Sequence, residues 1–112
     1  MVLKVSVFIA MSLDGYIARP NGDIDWLDAA NAMVPDSEDF GYDALMQTVD
    51  MLVMGRNSYE KVLSFDSWPY GDTPVTVLSR NPITFSENLS KTVQHSSEEP
   101  SDLCQRMSRE GI

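Results

Sequence analysis

Asp50-Met-Leu-Val-Met-Gly-Arg-Asn-Ser-Tyr-Glu-Lys-Val-Leu63 changes character in its middle. Met51 to Met54 is a short apolar run, too short for a buried helix and suited to a strand covered on both faces. Gly55 permits a tight turn and the close approach of another molecule to the backbone. Asn57 or Ser58 can cap a helix that continues through Tyr59, Val62 and Leu63. A helix N-terminus presents unpaired N–H groups and partial positive charge, which suits a phosphate. Arg56 adds a fixed cation with a planar fork of donors. An ordinary strand-to-helix turn with a surface arginine has the same local pattern, so this stretch alone leaves both readings open.

Upstream, Val2 to Met11 is mostly apolar and β-branched, and it predicts a strand that becomes central towards its C-terminal end. Ser12 to Trp26 carries the turn dipeptides Asp14-Gly15 and Asn21-Gly22 and a helix-discouraging Pro20, which predicts a long loop. Ordered loops of that length are often functional; an irregular hairpin held by Tyr16, Ile17 and Trp26 is the plainer alternative. Leu27 to Pro35 has room for only a short piece of helix. The next helix is expected to start at Asp36 as N-cap and end near Thr48, with Phe40, Ala44, Leu45 and Val49 on its apolar face.

Downstream, Ser67 to Asp72 is turn-rich, and Pro74 to Arg80 predicts a β-branched strand ending in Ser and Arg. Pro82 to Lys91 reads as polar loop with a brief extended piece at Ile83 to Phe85, and Thr92 to His95 as a short strand. Ser96 to Glu110 predicts a helix with Pro100 in its first turn, Leu103 and Met107 on one face, and Gly111 as C-cap. Alternating strands and helices argue a single α/β domain over residues 1–112, with a mostly parallel sheet and helices on its faces. Ligands of such open sheets bind at the carboxyl ends of the strands. Here those ends carry Ala10, Gly55-Arg56 and Ser79-Arg80.

The chain has 112 residues, of which 43% are apolar, as in an ordinary single globular domain. Eight Lys plus Arg face seventeen Asp plus Glu, a formal charge of −9. That excess repels nucleic acid and anionic membrane, so neither is expected as a partner. An anionic small ligand would need a local positive site, which makes Arg56 and Arg80 informative. One cysteine, Cys104, and one histidine, His95, offer neither a disulfide nor a zinc-type cluster, so no metal is expected. No apolar run approaches the ~20 residues that span a bilayer. The start lacks the features of a signal peptide, which leaves the cytoplasm as the expected compartment. Tyrosines and methionines at apolar spacing read as packing.

Ile9-Ala-Met-Ser-Leu-Asp-Gly-Tyr-Ile17, Asp25-Trp26, Val53-Met-Gly-Arg-Asn-Ser-Tyr-Glu60 and Val75-Thr-Val-Leu-Ser-Arg80 occur in this order with a helix between the first and second blocks and another after Arg56. Together they resemble the dihydrofolate reductase superfamily, most closely its bacterial branch containing the reductase domain of riboflavin biosynthesis. The resemblance implies a dihydrofolate reductase-like α/β fold, NADPH as cofactor and a pterin-like or pyrimidine-like small-molecule substrate. It implies that Ala10 and Ile17 line the nicotinamide pocket, and that Gly55, Arg56, Asn57 and Ser58 bind the pyrophosphate and ribose. Leu78, Ser79 and Arg80 would meet the adenosine 2′-phosphate, and the loop from Asp14 to Trp26 would close over the site. Trp26 would flank the substrate pocket. Asp39 falls where dihydrofolate reductases place their pocket carboxylate, and is the candidate proton donor. It also stands where a helix-capping carboxylate belongs, with Asp36 and Glu38 as rivals within a turn.

Members of that superfamily continue beyond the helix expected at Ser96 to Glu110, with a Gly-Gly strand that cradles the cofactor from the other side. The expectation is therefore a domain incomplete at its C-terminus, with an exposed sheet edge that favours a homo-oligomer. A non-catalytic nucleotide-binding or oligomerising module, or an inactive remnant, is the alternative to a working reductase.

Overall fold

The computed structural model describes residues 3–35 and 37–110. Three sequence expectations fall outside them: Val2 as the start of a strand, Asp36 as an N-cap and Gly111 as a C-cap. Two compact units form, one from Val5–Thr48 and the other from residues 3–4 and 49–110.

The second unit is built on a parallel sheet of β1 (Leu52–Gly55), β2 (Val75–Leu78) and β3 (Val93–Ser96), in that spatial order. Leu52 pairs with Val75 and Val75 with Val93, so all three strands run in register to Gly55, Leu78 and Ser96 at their carboxyl ends. Partners in register share a face. Leu52, Met54, Val75, Val77 and Val93 therefore line one face, where Tyr59 joins Val75, Val77 and Val93 in the buried core. Tyr59 comes from α3 (Arg56–Leu63), which follows β1 directly and turns Tyr59 and Val62 inward. Its ring meets Trp68 and Phe85 edge-on at centroid distances of 6.2 and 5.5 Å, a favoured aromatic geometry.

On the opposite face Thr76 is also 0% exposed, between Val75 and Val77 at 0% each. A buried hydroxyl needs partners, and this one donates to the sulfur of Met51 at 3.1 Å and accepts from Nε2 of Gln94 at 3.0 Å. The stretch between β2 and β3 returns the chain without a helix, through turns that pack Ile83, Phe85 and Leu89 against the core. After β3, α4 (Pro100–Glu110) buries Leu103 and Met107, four residues apart on one stripe. Cys104 is a half-buried free thiol on the same helix.

In the first unit, α1 (Asp25–Asn31) begins where the loop was expected to end, with Arg19 paired to Asp25 at 2.6 Å. The helix expected from Asp36 to Thr48 is shorter: α2 spans Tyr42–Met46. Phe40 at φ 56° and Gly41 at φ 84° hold the backbone in left-handed geometry ahead of it, which a helix cannot continue through.

The expected N-terminal strand is absent from the described residues. From residue 4 to residue 11 the backbone makes no backbone hydrogen bond to another described residue. A strand exists only through pairing, so apolar alternation alone leaves this segment without regular structure, with Val7 77% and Ile9 59% exposed. Phe8 is held edge-on by Tyr42 of α2 at 5.4 Å.

The packing stripe of α4 should carry much of the stability of its unit. Leu103→Ala, which removes a side chain 1% exposed, is expected to cost about 2–5 kcal/mol in urea unfolding, while the exposed Leu63→Ala should cost well under half of that.

Candidate functional site

The carboxyl edge of the parallel sheet gathers seven of the residues singled out in the sequence. β1 runs into α3 with no residue between them: Gly55 ends the strand and is the N-cap of the helix. Asn57 and Ser58 were expected to cap this helix; instead they lie in its first turn, and no side chain caps it. The strand needs no loop here, so the capping position falls on Gly55. Its φ of −79° and ψ of 168° are open to any residue. The glycine therefore matters for space rather than for backbone freedom: a Cβ built on it would meet nothing within 4 Å. That leaves the first turn of α3 approachable from outside.

Arg56 is exposed and bonds Glu60 one turn along at 3.1 Å. Exposed i,i+4 pairs are worth little, so its guanidinium can exchange that carboxylate for a ligand at small cost. Leu78 is the register partner of Gly55, which brings Ser79 and Arg80 to the same edge, one strand over. Ser79 is half-buried; its N–H donates to the Ser96 carbonyl at 3.0 Å and its Oγ accepts from the Asn81 N–H at 3.2 Å. Arg80 is exposed and has no ion pair among the described residues.

The remaining candidates belong to the first unit. Ala10 and Ile17 are exposed, and Trp26 is half-buried in α1. Between Ala10 and Ile17 the loop is tied by Ser12, whose hydroxyl donates to Asp14 and accepts from the Tyr16 N–H. Asp39 accepts from the N–H of Gly41 through Oδ1 and from that of Asp43 through Oδ2, both at 3.0 Å. Those bonds, the one from Asp43 foremost, hold its carboxyl below the ordinary aspartate range. Its carboxylate thus satisfies two N–H groups at the entry to α2, whose N-cap is Gly41, and is ionised at neutral pH.

Two polar features were not singled out as sites from the sequence. His95, in β3 opposite Val77, places Nε2 2.8 Å from the carbonyl of Ser79. Arg106 grips Glu98 through Nε and an Nη atom, and the Ser96 hydroxyl donates to the same carboxylate. Arg106 first and Ser96 second lower the Glu98 pKa. A lone histidine at a strand end gives no sequence signal of this kind, because its partner is a backbone atom in another strand.

A phosphate ester is well matched by such an edge, with its open helix N-terminus, uncapped backbone donors and two exposed arginines. The model of the RibD C-terminal domain family matches residues 3–104. The chain belongs to that family. A crystal structure of a protein from Shewanella sp. PV-4, provisionally assigned to riboflavin biosynthesis, superposes with a TM-score of 0.78 at 41% identity, covering 92% of this chain and 57% of the other. The uncharacterized protein YwjB of Bacillus subtilis strain 168 is 39% identical over 89 residues, 78% of this chain and 48% of that protein. This RibD C-terminal domain chain thus spans about half the length of the relatives it matches. The α/β fold with a parallel sheet expected from the sequence is the fold of the family.

The capping bonds of Asp39 set a pH dependence. A carboxyl whose folded pKa lies below its unfolded value of about 4 contributes stability that is complete above that value and is lost as pH falls through the folded pKa. Carbon-detected NMR of the side chain should place the Asp39 midpoint below that of a reference aspartate, and Asp39→Ala should flatten the acid limb of melting temperature against pH.

Proposed function

We propose that this RibD C-terminal domain chain is an NADPH-dependent reductase of a pterin-like or pyrimidine-like small molecule, acting in the cytoplasm. The observation that carries the reading is the direct passage of β1 into an uncapped α3 at Gly55, beside the Ser79–Arg80 end of β2. The first turn of α3 offers N–H groups to the cofactor pyrophosphate, and the open space at Gly55 admits the phosphate chain. Arg56, Asn57 and Ser58 add donors for pyrophosphate and ribose. Leu78 flanks the adenosine, and Ser79 and Arg80 take the 2′-phosphate that separates NADPH from NADH. Ala10 and Ile17 for the nicotinamide ring, and Trp26 for the substrate, are assigned by the family resemblance alone. The bound cofactor supplies a hydride. The proton that must accompany the hydride is assigned to Asp39, whose carboxylate, held by the N–H groups of Gly41 and Asp43, takes it up from water and passes it to the substrate nitrogen.

Calorimetric titration with NADPH tests the binding half. Arg80→Ala should weaken NADPH by roughly ten- to a hundredfold, as for loss of a charge-assisted hydrogen bond, and leave NADH affinity nearly unchanged. Gly55→Val should keep the fold, since its backbone angles suit any residue and the space is open, yet abolish nucleotide binding by filling the approach. Absence of nicotinamide oxidation with every reducible pterin and riboflavin precursor tried would defeat the catalytic half and leave a binding module.

Self-association forms part of the proposal. Val5, Val7, Ile9, Met11 and Leu13 are all more than half exposed, and from Val5 to Met11 the backbone is unpaired among the described residues. Contiguous apolar surface of this kind favours contact with another chain. Sedimentation velocity should show an oligomer that the double variant Val7→Lys, Ile9→Lys shifts towards monomer, whereas a concentration-independent monomer for the parent protein would sink the idea.

A further inference from the structure

Every polar group of Ser79 is held. The N–H donates to the Ser96 carbonyl at 3.0 Å, Oγ accepts from the Asn81 N–H at 3.2 Å, and the carbonyl lies 2.8 Å from Nε2 of His95. A carbonyl oxygen only accepts, so Nε2 carries the hydrogen and donates. Two of the three restraints reach across from β3, one through backbone and one through the imidazole, and they meet on the residue just before Arg80. His95 is half-buried beside Val77, so its ring has little freedom to leave. Arg19, Arg56 and Arg106 are each tied to a carboxylate. Arg80 differs: its side chain is exposed and unpaired among the described residues, while the peptide it springs from is fixed at both ends of Ser79.

We infer that His95 is a positioning residue for cofactor selection: by holding the Ser79 carbonyl it fixes the backbone from which Arg80 reaches a phosphate monoester on a nucleotide ribose. The inference rests on the NADPH reading above and adds to it a residue that does not touch the ligand. Its physical basis is preorganisation. A long, flexible guanidinium arm loses less freedom on binding when its root is already fixed. The effect is confined to ligands that use Arg80, so it acts on discrimination between NADPH and NADH rather than on nucleotide affinity in general.

The test compares His95→Leu, which removes the donor, with His95→Gln, which keeps a side-chain N–H. Calorimetry with NADPH and NADH is paired with ¹⁵N relaxation of the Ser79, Arg80 and Asn81 amides. His95→Leu is expected to weaken NADPH about three- to tenfold, the range for one net hydrogen bond, with NADH changed less than twofold. Order parameters at Arg80 should fall, and His95→Gln should restore both. Equal losses for the two nucleotides, or unchanged Arg80 order parameters in a folded His95→Leu protein, would overturn the inference. If the parent protein binds neither nucleotide, the NADPH reading fails and His95 loses its role in selection, while unchanged relaxation in that case would show that the Ser79 restraint is also absent. If His95→Leu does not fold, His95→Gln decides alone: it must retain parent selectivity and Arg80 order, and loss of either overturns the inference.

Discussion

Burial of β2 on both faces is the constraint from which the rest of the second unit follows. Val75, Thr76 and Val77 are without solvent exposure, so their backbone groups must find partners within the protein. β1 and β3 supply them in parallel register. Parallel neighbours cannot be joined by tight hairpins, so the chain must cross back each time, once through α3 and once through the turns that bring Ile83, Phe85 and Leu89 into the core. Parallel register also aligns the carboxyl ends. Gly55, Leu78 and Ser96 finish side by side because the ladder requires it, and this turns three separate stretches of sequence into one edge with one chemistry.

The electrostatics of that edge stand against those of the whole chain. A net charge of −9 disfavours anions in general, so phosphate recognition must be local. In the proposed site the edge would meet that requirement with fixed donors more than with net charge. The open first turn of α3 contributes oriented N–H groups, Arg56 is the first residue of that turn, and Arg80 follows the end of β2 one strand over. Arg56 is shared with Glu60, whereas Arg80 is not shared with any described carboxylate. The two arginines are thus unequal: on the proposed binding of a phosphate, one would trade partners and the other would gain one.

How much of this was legible in the sequence depended on whether the deciding partner was local. The β1–α3 junction could be read from Met51 to Leu63 because a short apolar run, a glycine and a helical stripe are local signals. β2, β3 and α4 were legible for the same reason, each within a few residues of its expected span. The cap of α3 was misplaced because Asn57 and Ser58 are good cap residues by type, while the strand reaches further than its apolar run and leaves the capping position to Gly55. The link from His95 to Ser79 was out of reach of pattern reading, since it joins a side chain to a backbone carbonyl across two strands. Asp39 was expected as a capping carboxylate three residues after Asp36; it instead precedes α2, whose N-cap is Gly41, and accepts from the N–H groups of Gly41 and Asp43.

The segment from Val5 to Leu13 shows the limit of such reading. Its composition is as strand-like as that of β2, yet β2 is buried and paired while the backbone from Val5 to Met11 is neither among the described residues. Strand preference is a preference for a neighbour as much as for a conformation. In β2 the neighbours are supplied from both sides, and the same kind of residues become the centre of a core. In the N-terminal segment the alternation of Val5, Val7, Ile9, Met11 and Leu13 remains, with the apolar row turned outward and Phe8 held by Tyr42. That pattern already specifies which face would be buried and in which register, because a one-residue slip would exchange the apolar row for Ser6, Phe8, Ala10 and Ser12. The information for a further strand is thus present in the chain, and what it awaits is a backbone alongside.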